Sequence, residues 1–189
     1  MPKSVWSSIS DELCDEIRKI KMGDAMDFTN FMTAVIDQRS FDKITGYIDR
    51  AKADDSCEVI VGGNYDDSVG WFIEPTIIVT SNPKSETMID EIFGPVLTVY
   101  VYDDDKFDEV LTLCDESSPY ALTGSIFAND ESDVQKAYHA LRFTAGKFYI
   151  NDKPTGTVGA QQLFGGARAR RTIDTAGRRL ILVSWNSPR

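Results

Sequence analysis

Apolar positions at the start of the chain recur at Val5, Ile9, Leu13, Ile17 and Ile20. That spacing is one stripe of an amphipathic helix, with Ser10 and Asp11 on its outer side and Gly23 as its stop. A second helix is predicted from about Asp37 or Arg39, with Phe41, Ile44, Ile48 and Ala51 on its buried face. Val59-Ile60-Val61, just before Gly62-Gly63, reads as a short buried strand. Trp71 to Val79 is a further extended piece, and Pro75 within it assigns it to a sheet edge or a bend.

Beyond this point the pattern turns regular. Val96 to Tyr102 is almost continuously apolar, as a strand covered on both faces is. Asp103-Asp104-Asp105 then precedes a helix whose apolar face is Phe107, Val110, Leu111 and Cys114. Ser125 to Ala128 reads as the next strand, Val134, Ala137, Tyr138 and Leu141 as the next helix face, and Phe148 to Ile150 as the strand after it. Strand, helix, strand, helix, strand predicts an α/β fold, a mostly parallel sheet with helices on both faces. Leu180 to Val183 stands apart at the end as one more strand. No repeat, low-complexity tract or long linker divides the chain, so residues 1–189 are expected to form one domain.

Composition narrows the class. A chain of 189 residues with 42% hydrophobic and 26% charged residues is ordinary for a globular protein. Its net charge of −10 speaks against nucleic-acid binding, which normally uses a basic patch. The charge is uneven: residues 1–166 carry −15, whereas residues 167–189, with six arginines and Asp174, carry +5. A basic tail on an acidic body pairs internally, with a second copy, or with an acidic partner. Three cysteines without paired spacing give no disulfide framework and suggest an intracellular, reducing compartment. No apolar run reaches the roughly 20 residues of a membrane span, and the N-terminus shows neither a secretory signal nor a transit peptide.

The densest candidate chemistry lies between Asn151 and Arg168. There the periodicity stops, and glycines 156, 159, 165 and 166 alternate with Thr155, Thr157, Gln161 and Gln162 around one aromatic, Phe164. Glycines let backbone N–H groups approach a ligand, and amides and hydroxyls add directed hydrogen bonds. An ordinary Gly-rich loop has the same composition. Metal and nucleotide signatures of the HExxH, CxxC, GxGxxG and GxxxxGK[ST] types do not occur, so no metal site is expected. His139 is the single histidine, and its helix is predicted to turn it toward solvent. Among the cysteines, Cys14 borders the first helix stripe, Cys57 precedes a strand, and Cys114 falls on a helix core face. Free cysteine behaves mostly as a small buried hydrophobe.

The hexapeptide Glu91-Ile92-Phe93-Gly94-Pro95-Val96 resembles a hallmark of the aldehyde dehydrogenase superfamily. The run from Phe148 to Lys153, with Thr155-Gly156, Gln161-Gln162 and Phe164 to Arg168, narrows the resemblance to the branch that oxidises glutamate semialdehyde to glutamate. It extends from Pro2, Ser4 and Trp6 to Trp185-Asn186-Ser187-Pro188 and covers only the C-terminal part of that branch's enzyme. The resemblance implies a partial catalytic domain of the aldehyde dehydrogenase type, without the family's NAD-binding domain. In the family a cysteine thiolate attacks the aldehyde, hydride passes to NAD, and the thioester is hydrolysed. The family's nucleophile, general-base glutamate and oxyanion-holding asparagine have no counterpart here, so no residue of this chain is expected to be catalytic.

The resemblance also assigns roles. Glu91 would bind the nicotinamide ribose hydroxyls and Phe93 would lie near the nicotinamide. Gly156 and Thr157 would hold the substrate carboxylate, and Phe164 would pack on its aliphatic stem. The strand from Leu180 to Val183 would serve assembly with a protein partner or a second copy. Ala160 and Leu163 stand where the family has glycine and proline, and Arg170-Arg171 replace a Ser-Gly pair. Mitochondrial location follows from the same resemblance. The chain alone is expected to be inactive and to bind no cofactor. A non-catalytic structural or interaction subunit of the same descent is the alternative.

Overall fold

A computed structural model describes residues 1–154 and 165–169, which fall into two compact units, Met1–Phe107 and Asp108–Arg189. The first unit opens with helix α1 (Lys3–Arg18), followed by α2 (Gln38–Ala53). Strands β1 (Cys57–Val61), β2 (Tyr65–Asp66), β3 (Phe72–Ile73) and β4 (Thr76–Thr80) come next, then the one-turn helix α3 (Glu86–Ile89) and β5 (Val96–Tyr100). The main sheet has the order β1-β4-β5, with β1 antiparallel and β5 parallel to β4. A short β2-β3 hairpin lies apart from it.

The two long helices pack on opposite faces of that sheet. Cys14 of α1 clusters with Val61, Ile77 and Val99, with Trp6, Leu13 and Ile17 around them. Phe41, Ile44, Tyr47 and Ile48 of α2 cluster with Ile73 and Ile92, and Val96 packs on that group. Val96 and Val99 differ in parity along β5, so alternate side chains point to opposite faces. Helices on both faces of an α/β sheet were legible in the sequence, and so was α2. Its start is fixed by Asp37, whose carboxylate accepts from the Ser40 N–H at 2.8 Å.

That N–H holds the Asp37 carboxyl below its ordinary value of 3.8. The capping contribution is therefore full above the unfolded value and is lost as pH falls through the lower folded value. Asp37→Asn keeps a capping oxygen and removes the charge. Its unfolding midpoint should lie below wild type near neutrality and converge with it in acid. A gap unchanged from pH 7 to pH 2 would contradict the assignment.

Three sequence expectations shift. α1 ends at Arg18, not Gly23, because the chain turns away to form a bridge between Met22 and Met32, with Gly23 N–H donating to the Met32 carbonyl. Its buried face centres on Cys14, and Val5 is exposed. The extended piece from Trp71 to Val79 breaks at Pro75, as a bend should, yet the strand that follows, β4, is the centre of the sheet. β5 is shorter than Val96 to Tyr102 and leaves Leu97 exposed. Tyr102 instead bridges to Pro2, and Lys3 N–H donates to its carbonyl at 2.8 Å.

Gly62 makes the tight turn after β1. It sits at φ +70°, and a Cβ there would lie 2.2 Å from the Pro75 carbonyl oxygen. Gly62→Ala combines left-handed strain with that clash, so it should destabilise the first unit by about 2 kcal/mol or more. An unchanged urea midpoint would contradict this. The loop between α1 and α2 presents Met26, Phe28, Phe31 and Ile36 at exposures from 81% to 94%. Its backbone is held by bonds such as Phe31 N–H to Lys21 O at 2.9 Å and Val35 N–H to Trp71 O at 2.9 Å.

The second unit contains α4 (Phe107–Glu116), β6 (Tyr120–Ala121), β7 (Thr123–Ile126), α5 (Glu131–Leu141), β8 (Lys147–Ile150) and β9 (Ala167–Arg168). β7 and β8 are parallel and joined by α5, the expected βαβ unit. β6 and β9 pair antiparallel. α5 starts at Asp130, which accepts from the Ser132 and Asp133 N–H groups. Ala137 is buried, and Tyr138 meets Phe148 edge-on with centroids 5.9 Å apart.

β7 begins two residues earlier than the sequence suggested and ends at Ile126. Ala128 is held instead by the side chain of Asn151, which bonds both its N–H and its carbonyl at 2.9 Å. On α4 the buried centre is Leu111, so Cys114 lies at the margin of the face and is exposed. His139 is exposed, as its helix predicted. Residues 180–183, the expected assembly strand, lie outside the described residues.

Candidate functional site

The hexapeptide from Glu91 to Val96 is a turn shaped from below by α2. Lys43, Tyr47 and Arg50 recur at i, i+4 and i+7, so they form one stripe beside the buried face of that helix. Each takes a different partner in the segment from α3 onward. Arg50 donates two parallel bonds to the Glu86 carboxylate, at 2.7 and 2.8 Å. The Tyr47 hydroxyl donates to Asp90 Oδ2 at 2.8 Å, and Lys43 Nζ donates to the Glu91 carbonyl at 3.1 Å. The Arg50 guanidinium also lies over the Tyr47 ring, 4.7 Å from its centroid.

These contacts have electrostatic consequences. Donating to Asp90 raises the Tyr47 phenol above its ordinary value, and pairing with Glu86 raises Arg50. Both groups therefore keep their protons across the physiological range.

Apolar contacts fix the rest of the turn. Ile92 is buried in the α2 cluster. Gly94 presses on Ile44 so closely that a Cβ there would lie 2.7 Å from Ile44 Cδ1. The Pro95 carbonyl accepts from Thr76 N–H at 2.8 Å, which ties the turn to β4. Phe93 adopts φ 60°, a left-handed conformation unusual for a bulky residue. Glu91 and Phe93 are exposed on either side of buried Ile92, Phe93 at 75%. A carboxylate residue and an aromatic residue thus stand two positions apart, both exposed, on a turn packed against α2. That pair can accept from vicinal hydroxyls and cover a flat apolar ring.

Of the remaining sequence candidates, Gly156, Thr157 and Phe164 lie outside the described residues, as do Thr155, Gly159, Gln161 and Gln162. Both ends of their loop are described. At the entry, Asn151 N–H donates to the Ile126 carbonyl at 2.8 Å. At the exit, a Cβ on Gly146 would lie 1.8 Å from the Gly165 carbonyl oxygen, and Arg168 pairs with Asp115.

Neither Cys14 nor Cys57 lies fully open at the surface. Cys14 is 7% exposed and lines a cavity of about 560 Å³ with Asp11, Asp15 and Glu58. Cys57 is half-buried, 3.5 Å from Thr80 Oγ1 and 3.9 Å from Asp54 Oδ2. Among the described residues no group of three His, Cys, Asp or Glu is placed to hold a metal ion. No described helix is long and apolar enough to cross a membrane.

Sequence reasoning singled out Glu91 and Phe93 and missed Tyr47, Arg50, Glu86 and Asp90, which meet across 36 to 43 positions of chain. The only local signal was a polar stripe beside an apolar one.

A profile of the aldehyde dehydrogenase family matches residues 1–182. The mitochondrial delta-1-pyrroline-5-carboxylate dehydrogenase of Dictyostelium discoideum is 53% identical over 189 residues, which are 100% of this chain and 34% of that protein. The human protein of the same name is 47% identical, again over 100% of this chain and 34% of its own length. The crystal structure of the Delta-pyrroline-5-carboxylate dehydrogenase from Mycobacterium tuberculosis matches with a TM-score of 0.90 at 45% identity, over 98% of this chain and 34% of that one. The same enzyme bound with NAD gives 0.88. The chain thus spans about a third of the length of the relatives it matches.

Proposed function

Because the chain belongs to the aldehyde dehydrogenase family, we propose that it is the C-terminal portion of an NAD-dependent delta-1-pyrroline-5-carboxylate dehydrogenase, located in mitochondria. The whole enzyme would oxidise glutamate semialdehyde to glutamate in proline breakdown. The observation that carries this reading is identity of 53% along the entire chain with an enzyme of that name. The two compact units would belong to a single partial catalytic domain, with the NAD-binding domain supplied outside these residues.

The Glu91–Gly94 turn fits one end of NAD. Its exposed carboxylate can accept from the nicotinamide ribose hydroxyls, and Phe93 can cover the adjoining ring. NAD, when bound, accepts the hydride; these two residues orient it. Gly156 and Thr157 would hold the substrate carboxylate through an N–H and a hydroxyl, and Phe164 would pack on its aliphatic stem. An anionic substrate suits a nest of backbone amides. The described residues form no full dinucleotide crevice, and the family's nucleophile has no counterpart in the sequence, so alone the chain should be inactive and hold NAD very weakly.

A second reading, a non-catalytic subunit of aldehyde dehydrogenase descent, draws support from the ordered loop that exposes Met26, Phe28, Phe31 and Ile36. Exposed apolar clusters mark interaction surfaces. Turnover separates the two. A chimera in which residues 1–189 replace the matching third of the Dictyostelium enzyme oxidises glutamate semialdehyde under the first reading and does not under the second.

A further inference from the structure

We propose that Tyr47 and Arg50 are positioning residues that set cofactor affinity through the segment Glu86–Gly94 without touching the cofactor. The inference rests on the dehydrogenase reading above.

Glu91 follows α3 after a single residue, Asp90, and α3 has only four residues, too few to be stable by itself. Its place depends on outside contacts. α2 provides them in order along one stripe: Arg50 on Glu86 at the start of α3, Tyr47 on Asp90 at its end, Lys43 on the Glu91 carbonyl. Arg50 stacks on the Tyr47 ring, so the two anchors also hold each other. The bidentate Arg50–Glu86 pair fixes rotation as well as distance, which a single contact does not. α2 itself is locked to the sheet by Ile44 and Ile48, both fully buried. The stripe therefore carries the rigidity of the core to a turn whose two exposed residues face outward. A carboxylate bound to two vicinal hydroxyls loses affinity quickly when its backbone drifts, since both bonds weaken together. Supporting hydrogen bonds of this kind govern ligand geometry elsewhere in much the same way.

The test uses the 189-residue chain and the Dictyostelium chimera in parallel. In the chain, Tyr47→Phe should accelerate hydrogen exchange of the Asp90 N–H, which bonds to the Glu86 carbonyl at 2.9 Å, and of Val96 N–H, which bonds to the Gly94 carbonyl at 2.8 Å. In the chimera the same variant should raise KM for NAD roughly five- to tenfold, the loss of one hydrogen bond to a charged acceptor. kcat and the aldehyde KM should stay within about twofold, because the clamp acts on cofactor position alone. Arg50→Lys should retain part of the affinity that Arg50→Met loses, since lysine keeps the charge and not the fork. Tyr47→Phe combined with Asp90→Asn should cost no more than either alone.

An unchanged KM for NAD in Tyr47→Phe overturns the inference, as does an equal fall in kcat or an equal rise in the aldehyde KM. Unchanged exchange overturns it too. A wild-type chimera that turns over, with a silent Tyr47→Phe effect, sinks this inference alone. A folded wild-type chimera that neither binds NAD nor turns over sinks the dehydrogenase reading, and this inference with it.

Discussion

Purified alone and given NAD and glutamate semialdehyde, the 189-residue polypeptide forms no NADH. Aldehyde oxidation by this family begins with a thiolate, and the three thiols of the chain are poorly suited to that step. Cys14 is buried in a cluster with Trp6 and lines a cavity together with Asp11, Asp15 and Glu58. Cys57 is half-buried and donates toward Asp54 and Thr80. Cys114 is exposed on α4, one residue from Asp115, whose carboxylate is engaged with Arg168. His139, the single imidazole, stands at the surface of α5 edge-on to Tyr138. Among the described residues no cysteine is placed against the histidine, and covalent catalysis is therefore expected to be absent, not merely slowed. The check is NADH fluorescence at high protein concentration. Saturable turnover that disappears in one cysteine-to-alanine variant would overturn the expectation and identify the nucleophile at once.

The largest stability effect is expected at Ile44. This side chain is 0% exposed and packs in the cluster with Phe41, Tyr47, Ile48, Ile73 and Ile92. It also forms the wall against which Gly94 closes, with three of its carbons 2.7 to 2.9 Å from where a Gly94 Cβ would be. Ile44→Ala removes those atoms from a site hemmed in by the sheet and by the turn, so the cavity can collapse only in part. The cost should be about 2–5 kcal/mol, against about 0.5–1.5 kcal/mol for Ile44→Val. With a urea slope of about 1–3 kcal/mol/M the alanine variant should unfold about 0.7 M earlier or more. Trp71 packs on this cluster and donates to Gln38 Oε1 at 2.8 Å, so its fluorescence follows the transition. An alanine variant within about 0.5 kcal/mol of wild type would mean that the turn is not built on α2.

How much of this could be read from the chain depended on the range of the forces involved. α2 was legible to within a residue because its cap, Asp37, and its buried stripe are local features. The βαβ unit of β7, α5 and β8 was legible for the same reason, with an error of two residues where the Asn151 side chain captured Ala128. The end of α1 was not, since a bridge to Met32 decides it ten residues later. Nor was the central place of β4, because Pro75 signals a break in the strand and says nothing of the pairing on either side. At the site, Glu91 and Phe93 stood out through a motif, whereas their supports Tyr47, Arg50, Glu86 and Asp90 are residues of common type brought together by the fold. The glycine-rich loop shows the reverse case. Its residues announce themselves in the sequence, whereas the described structure shows the contacts of Asn151 and Arg168 at its two ends.

The proposed function makes residues 1–189 a competent third of a delta-1-pyrroline-5-carboxylate dehydrogenase. Steady-state NADH formation by the Dictyostelium chimera tests it most directly. Turnover of glutamate semialdehyde is expected within about tenfold of the parent enzyme, a difference of roughly 1.4 kcal/mol in barrier. A chimera that folds with the parent's oligomeric state and forms no NADH would contradict it, and would leave the family fold serving something other than catalysis.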